Sequence, residues 1–159
     1  MGDIAVYTLG YEGLSIDEFF GILTENGILH LIDVRRDPVS RRYGFHKKTL
    51  ASLCEAHGIE YTHMPKLGIE SKYRKEIKTE ADHRILLSYY KTEILEREAE
   101  AVSLVSRLMS ERPSMLMCFE ADPKRCHRSI LAEAVAKVSG LPVRHLKAEK
   151  IDTNQLRMF

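Results

Sequence analysis

The stretch IAVYTLGYEGLSIDEFFGILTENGILHLIDV, Ile4 to Val34, decides the fold. Its first six residues are apolar or β-branched and end at Gly10, as a strand does. Ser15 followed by Glu18 has the capping-box pattern that opens a helix, and Gly27 after Asn26 supplies the stop. Leu29 to Val34 (LHLIDV) is apolar without alternation, which suits a strand covered on both faces rather than one. Strand, helix and buried strand within about thirty residues form a βαβ unit, and the second strand must run parallel to the first.

The same alternation continues outward from that unit. Arg35 to Phe45 reads as a loop carrying Pro38, Ser40 and Gly44, Lys47 to Ala56 as a helix ended by Gly58, and Ile59 to His63 as a third strand. Pro65 to Thr79 is polar, with Gly68 and Ser71, and a stretch this long without strong periodicity predicts a mobile lid over residues 65–80. Residues 81 to 110 carry helical spacing (Ile85, Leu86, Tyr89, Tyr90, Ile94, Val102, Val105, Leu108, Met109) as one long helix or two abutting ones. Met115 to Phe119 predicts a fourth strand, Arg128 to Val138 a helix stopped by Gly140, Val143 to Leu146 a fifth strand, and 148–159 a tail. The expectation is one α/β domain over 1–159: a mostly parallel, doubly wound, Rossmann-like sheet of about five strands with helices on both faces.

Composition agrees with that expectation. Of 159 residues 44% are hydrophobic and 30% charged, with 24 Lys and Arg against 23 Asp and Glu for a net charge of +1. These proportions fit one globular domain and exclude a uniformly basic chain, a disordered one and a membrane-spanning one. The start lacks a signal-peptide pattern, so cytoplasmic residence is expected. Cys54, Cys118 and Cys126 are too few for a secreted disulfide framework and read as reduced thiols.

Ligands of such sheets bind outside the carboxyl ends of the strands, where strand order reverses. The loops predicted there are Gly10 to Gly13, Asp33 to Arg36, His63 to Gly68 and Glu120 to Arg128. The last, within CFEADPKRCHR (Cys118 to Arg128), places Cys126, His127 and Arg128 near the first turn of a helix. A helix N-terminus with Arg125 and Arg128 nearby favours a thiolate and binds anions, so Cys126 reads as either a reactive thiol or a small core residue. His127 lies about 100° around the helix from its neighbour, so a partner for Cys126 is expected from another loop. Asp33 and Glu120 serve either as proton-transfer groups or as partners of Arg35 or Arg128 in buried ion pairs.

Two other chemistries fit less well. Six residues separate Cys118 from Arg125, one more than a phosphatase loop has, and Glu120 and Asp122 would repel a phosphate there. Cys118, Cys126 and His127 are metal-ligand types, but their spacing is not that of a zinc ribbon or finger, and neither metal nor cofactor is assigned from sequence.

Basic residues cluster in two of these loops. Arg35, Arg36, Arg41, Arg42, Lys47 and Lys48 face only Asp37 within 35–48, and Lys66, Lys72, Arg74, Lys75 and Lys78 face Glu70 and Glu76 within 66–78. Tyr43, Phe45 and Tyr73 are interleaved as possible stacking platforms. Acidic residues Glu93, Glu96, Glu98 and Glu100 gather instead on the long helical segment. The predicted partner is therefore an anionic small molecule or a nucleic acid, with no membrane and no oligomeric state assigned.

With TLGYEG, LIDVRRDPVSRR, YTHMPKLG and the CxExxxxxCHR cluster in view, the chain resembles the family called domain of unknown function 488 over nearly its whole length. The resemblance implies an α/β fold with a polar cluster at the strand ends, drawn here from Gly10, Asp33, Arg35, Pro38, Ser40, Leu67, Gly68, Cys118, Glu120, Cys126, His127 and Arg128; it implies no reaction. LIDVRRDP also resembles rhodanese domains, whose donor-rich catalytic loop the acidic segment after Cys118 does not match. The expected reading is an enzyme or enzyme-like domain. In it Asp33, Glu120, Cys126 and His127 do chemistry, while Arg35, Arg36, Ser40, Arg128, Tyr11 and Lys66 hold an anion. The alternatives are a non-catalytic nucleic-acid-binding module with a structural Cys/His/Glu/Arg network, and a thiol redox sensor.

Overall fold

A computed structural model describes residues 2–148. The expected tail from 149 onward lies outside the described residues. Strand β1 (Val6–Gly10) leads through Ser15 into helix α1 (Ile16–Glu25), where the Ser15 hydroxyl accepts from the Glu18 amide and the Glu18 carboxylate accepts from the Ser15 amide. Strand β2 (His30–Asp33), helix α2 (Lys47–Ala56) and strand β3 (Glu60–His63) follow as expected.

The 65–80 segment carries short elements of its own. A 3-10 turn (Pro65–Leu67) and a short helix α3 (Ser71–Arg74) bracket the buried Leu67, Gly68 and Ile69, and the Tyr90 hydroxyl donates to the Leu67 carbonyl at 2.7 Å. Gly68 is required there, since a Cβ would overlap the Arg36 amide. The long helical stretch is broken into α4 (Glu80–Tyr89), a π turn (Tyr90–Ile94), α5 (Leu95–Arg97) and α6 (Ala99–Glu111). The π turn buries Tyr90 and Ile94, and Glu98, at φ −102° and ψ 32°, interrupts the helix before α6. Strand β4 (Ser114–Cys118), helix α7 (His127–Ser139) and strand β5 (Val143–His145) complete the chain.

All five strands are parallel, in the order β3-β2-β4-β1-β5. Helices α1 and α2 cover one face with Phe19, Leu23, Leu50 and Cys54 on Tyr7, Leu9, Leu31, Met115 and Met117. Helices α6 and α7 cover the other with Val105, Met109, Leu131 and Val135 on Val6, Ile32, Leu116 and Cys118. The chain leaves β1 toward β2 and leaves β4 toward β5, so the two loops diverge from adjacent strands to opposite faces. That is the switch point at which such sheets open a crevice. No helix among the described residues is long and apolar enough to cross a membrane.

Candidate functional site

The two diverging loops are stitched together at the switch point. Tyr11 and Glu12 amides donate to the Cys118 and Phe119 carbonyls at 3.1 and 2.8 Å, and the Ala121 amide donates to Glu12 Oε1 at 3.0 Å. Gly10 permits this approach, because a Cβ there would overlap the Glu120 carbonyl.

Asp33 and Arg35 resolve to the structural alternative. Asp33 is fully buried and accepts from the Arg35 amide, Nε and Nη2 at 3.1, 2.9 and 2.7 Å and from the Tyr61 hydroxyl at 2.5 Å. Arg35 also donates to the Phe45 carbonyl at 2.7 Å. Burial works against the guanidinium, but Asp33 outweighs it and holds the pKa above its ordinary value. The carboxylate has no lone pair left for a substrate proton, and most of the guanidinium's donors are taken. Of the two alternatives for Asp33, the buried ion pair with Arg35 is present, and it fixes the β2 loop.

Arg128 is likewise a scaffold cation. It is fully buried in the first turn of α7, with Nε donating to Thr8 Oγ1 at 3.2 Å and the Nη atoms donating to the Glu120 and Ala121 carbonyls, the latter at 3.1 Å. Burial lowers its pKa to about 10, against the attraction of Glu120 and Asp122. Unlike Arg35, it forms no ion pair among the described residues, and the Cys118 sulfur lies 3.6 Å from its Nη1.

Cys118, at the end of β4, and Cys126, the N-cap of α7, are joined by a disulfide, against the expectation of three reduced thiols; Cys54 is a free, buried thiol on the other face. The Cα atoms of the pair stand 7.6 Å apart. Most disulfides span about 4.4–6.8 Å, so this bond joins two elements across a wider gap than most. Cys126 Sγ accepts from the Arg128 amide at 3.5 Å. His127 is 2% exposed, its Nε2 3.2 Å from the Val34 carbonyl and its Nδ1 3.9 Å from Cys126 Sγ. Burial, reinforced by the charges of Arg74 and Arg128, pushes the imidazole down to about 3, so it is neutral and donates to Val34 from Nε2.

Two cavities of about 330 Å³ each open beside this cluster and share Ile69 and Arg74 as a common wall. The first is lined by Glu12, Glu120, Asp122, Arg74, Arg125, His83 and His127. In it Glu120 Oε2 approaches Cys118 Sγ at 3.5 Å and Oε1 approaches Arg74 at 4.0 Å, while His83 Nε2 is buried without a partner among the described residues. The second is lined by Tyr11, Arg35, Arg36, Asp37, Ser40, Arg41, Ser71, Arg74 and Phe119. Its one carboxylate, Asp37, accepts from the Ser71 hydroxyl at 2.8 Å.

Of the residues expected at the site, Glu120 and His127 line the first cavity, Cys126 packs against His127, and Arg35, Arg36, Ser40 and Tyr11 line the second. Lys66 is exposed on the 3-10 turn and lines neither. Arg74, Ser71, His83 and Phe119 were not singled out as site residues. Arg74 sits in the basic run after β3, which was the available signal; nothing in the sequence pairs that run with the β4 loop.

The family model for the domain of unknown function DUF488 matches residues 15–135. Neither a curated protein nor a solved structure matches the chain. The strand ends, the CxExxxxxCHR segment and the extent of that match together establish that the chain belongs to the DUF488 family.

Proposed function

We propose that this protein binds an anionic, phosphate-bearing ligand with an aromatic base, of the nucleotide class, in the cavity of Arg36, Arg41 and Arg74 and presents it to Glu120 and His127 next door. The observation that carries this reading is the lining of the second cavity: four guanidinium groups, of which only Arg35 is tied to a buried carboxylate, and the Ser40 hydroxyl, against a single lining carboxylate already engaged by Ser71. Arg36 and Arg74 have only long ion pairs, 3.8 Å to Glu70 and 4.0 Å to Glu120, so both can turn to a phosphate. Phe119 is 41% exposed on the same wall and offers a face to a base. In this reading Glu120, which lines the adjoining cavity beside Arg74, accepts or delivers a proton.

Calorimetric titration with nucleoside mono-, di- and triphosphates and with inorganic phosphate tests this. Saturable binding that weakens with salt, and that falls about tenfold for each of Arg36→Gln, Arg41→Gln and Arg74→Gln, is the expected result. Absence of binding at low salt, or binding indifferent to all three substitutions, refutes it. A second reading rests on Tyr43, 76% exposed between Arg42 and Gly44 on the same basic rim. A single-stranded oligonucleotide that binds far more tightly than a mononucleotide, with loss on Tyr43→Ala, would favour a nucleic-acid interface over a small-molecule site.

A further inference from the structure

We propose that Cys118, Cys126 and His127 form a binding site for a divalent cation of the zinc class, with Glu120 as the fourth donor from the cavity side. The ligand atoms of the first three residues all lie within 4.8 Å of one another, and all three side chains are buried. They arrive from two elements, the end of β4 and the start of α7, which are held in register by the Arg128 bonds to the Glu120 and Ala121 carbonyls.

Three features go beyond proximity. The first is the orientation of His127: its Nε2–H is held by the Val34 carbonyl, which leaves the Nδ1 lone pair directed at the sulfurs, 3.9 Å from Cys126 Sγ. A backbone acceptor on the far nitrogen is the usual way a ligating imidazole is fixed. The second is the spacing of the cysteines. A Cα separation of 7.6 Å is wide for a disulfide, whereas two thiolates on one ion, each about 2.3 Å from it, reach across such a gap by turning about χ1. The third is charge. Arg128 is a buried cation with no ion pair among the described residues, its Nη1 3.6 Å from Cys118 Sγ. Two thiolates neutralise a divalent ion, and the Glu120 carboxylate, Oε2 3.5 Å from Cys118 Sγ, then balances Arg128, so the loaded site is neutral as a whole.

Two sulfurs and an imidazole select zinc over magnesium or calcium, which take oxygen ligands. An external thiol or phosphine first reduces the disulfide by two electrons to two thiols; in loading, each thiol then forms a bond from sulfur to the ion and releases its proton to solvent. The dithiol form is the binding form, since sulfurs bonded to each other have no thiolate to offer. The site uses Glu120 and His127 of the proposed function but no residue lining the arginine cavity, so the two readings fail separately: phosphate binding is measured on metal-free protein, and metal binding without phosphate.

The test is a cobalt(II) titration of the full-length protein, kept reduced with a phosphine. A thiolate-to-cobalt charge-transfer band that saturates at one equivalent and is abolished by zinc is expected. Cys118→Ser and Cys126→Ser should each diminish the band, and Glu120→Gln should weaken affinity by about ten- to a hundredfold while leaving the thiolate band in place. Because the serine variants can fail to fold, alkylation of the wild-type protein followed by mass spectrometry gives an independent reading: zinc should protect Cys118 and Cys126. A missing charge-transfer band, or a band with Cys118 and Cys126 left unprotected, overturns the proposal.

Discussion

Replacing Asp33 by alanine tests the assignment of the Asp33–Arg35 pair to the scaffold. The substitution removes acceptors from the Arg35 amide, Nε and Nη2 and from the Tyr61 hydroxyl, and leaves a guanidinium that is 4% exposed without its counter-charge. Taken singly, hydrogen bonds to a charged group are worth about 1.5–3 kcal/mol each, but these four share one carboxylate and do not add. The relevant quantity is the cost of breaking a buried pair from one side, about 3–5 kcal/mol. For a chain of this size that lowers Tm by roughly 6–20 °C. Asp33→Leu combined with Arg35→Met removes both charges and keeps the volume, and should recover most of the loss. Urea denaturation of the two single variants and the double variant, with phosphate binding measured on the double, closes the cycle. A loss below about 1 kcal/mol for Asp33→Ala refutes the buried-pair account, as does a double variant that folds with near wild-type stability yet loses phosphate binding; either result would return Asp33 to the site.

Other perturbations read other levels of the structure. Gly10→Ala drives a Cβ into the Glu120 carbonyl and to 2.9 Å from Arg128 Nη1; it should destabilise by more than 1–2 kcal/mol and weaken cobalt binding, and a neutral outcome by thermal melts would mean the two loops do not cross so closely. Ser15→Ala removes the hydroxyl half of the capping box of α1 and should cost about 1 kcal/mol in urea without altering any ligand titration. His30 is buried, and burial with the charge of Arg112 lowers its pKa from 6.5 to about 4 against the pull of Glu111. The unfolded chain therefore binds its proton first as pH falls, so this residue's contribution is fully favourable above about 6.5 and is lost between 6.5 and 4. Tm against pH should decline over that window, and more shallowly in His30→Gln; equal slopes would refute it.

The periodicities legible in the sequence are those set by burial on a sheet. The apolar runs of β1, β2 and β4 have no alternation because helices cover both faces, and the Ser15–Glu18 box starts α1 at the expected residue. Strand order was not legible: the 3-2-4-1-5 arrangement comes from which crossovers pass over which strands, and no local pattern encodes that. The π turn at Tyr90–Ile94 was hidden for a related reason. Its apolar residues keep near-helical spacing, and the inward swing of Tyr90 is fixed by a long-range bond to the Leu67 carbonyl. At the site, Glu120, Cys126 and His127 were legible because one short segment carries them. Arg74 was not, since it reaches Glu120 from 46 positions earlier in the chain, out of a loop whose basic residues look alike in sequence.

The two buried arginines show why residue type and burial alone do not separate scaffold from site. Arg35 and Arg128 both follow a strand end and both anchor loop carbonyls, so the sequence offers one reading for the two of them. What differs is the counter-charge. Arg35 meets a carboxylate that is two residues away and as deeply buried as itself, and the pair is electrically closed. Arg128 meets carbonyls, a hydroxyl and a sulfur, and its charge remains open toward Cys118 and the cavity that Glu120 lines. A buried cation without a fixed anion is costly unless something completes it. Around Arg35 the fold supplies that anion itself; around Arg128 it does not among the described residues, and the proposed cation site is what would bring thiolate and carboxylate charge beside it. The asymmetry is the ground on which the cation site is proposed at β4 and α7, while the pair after β2 is closed within the fold.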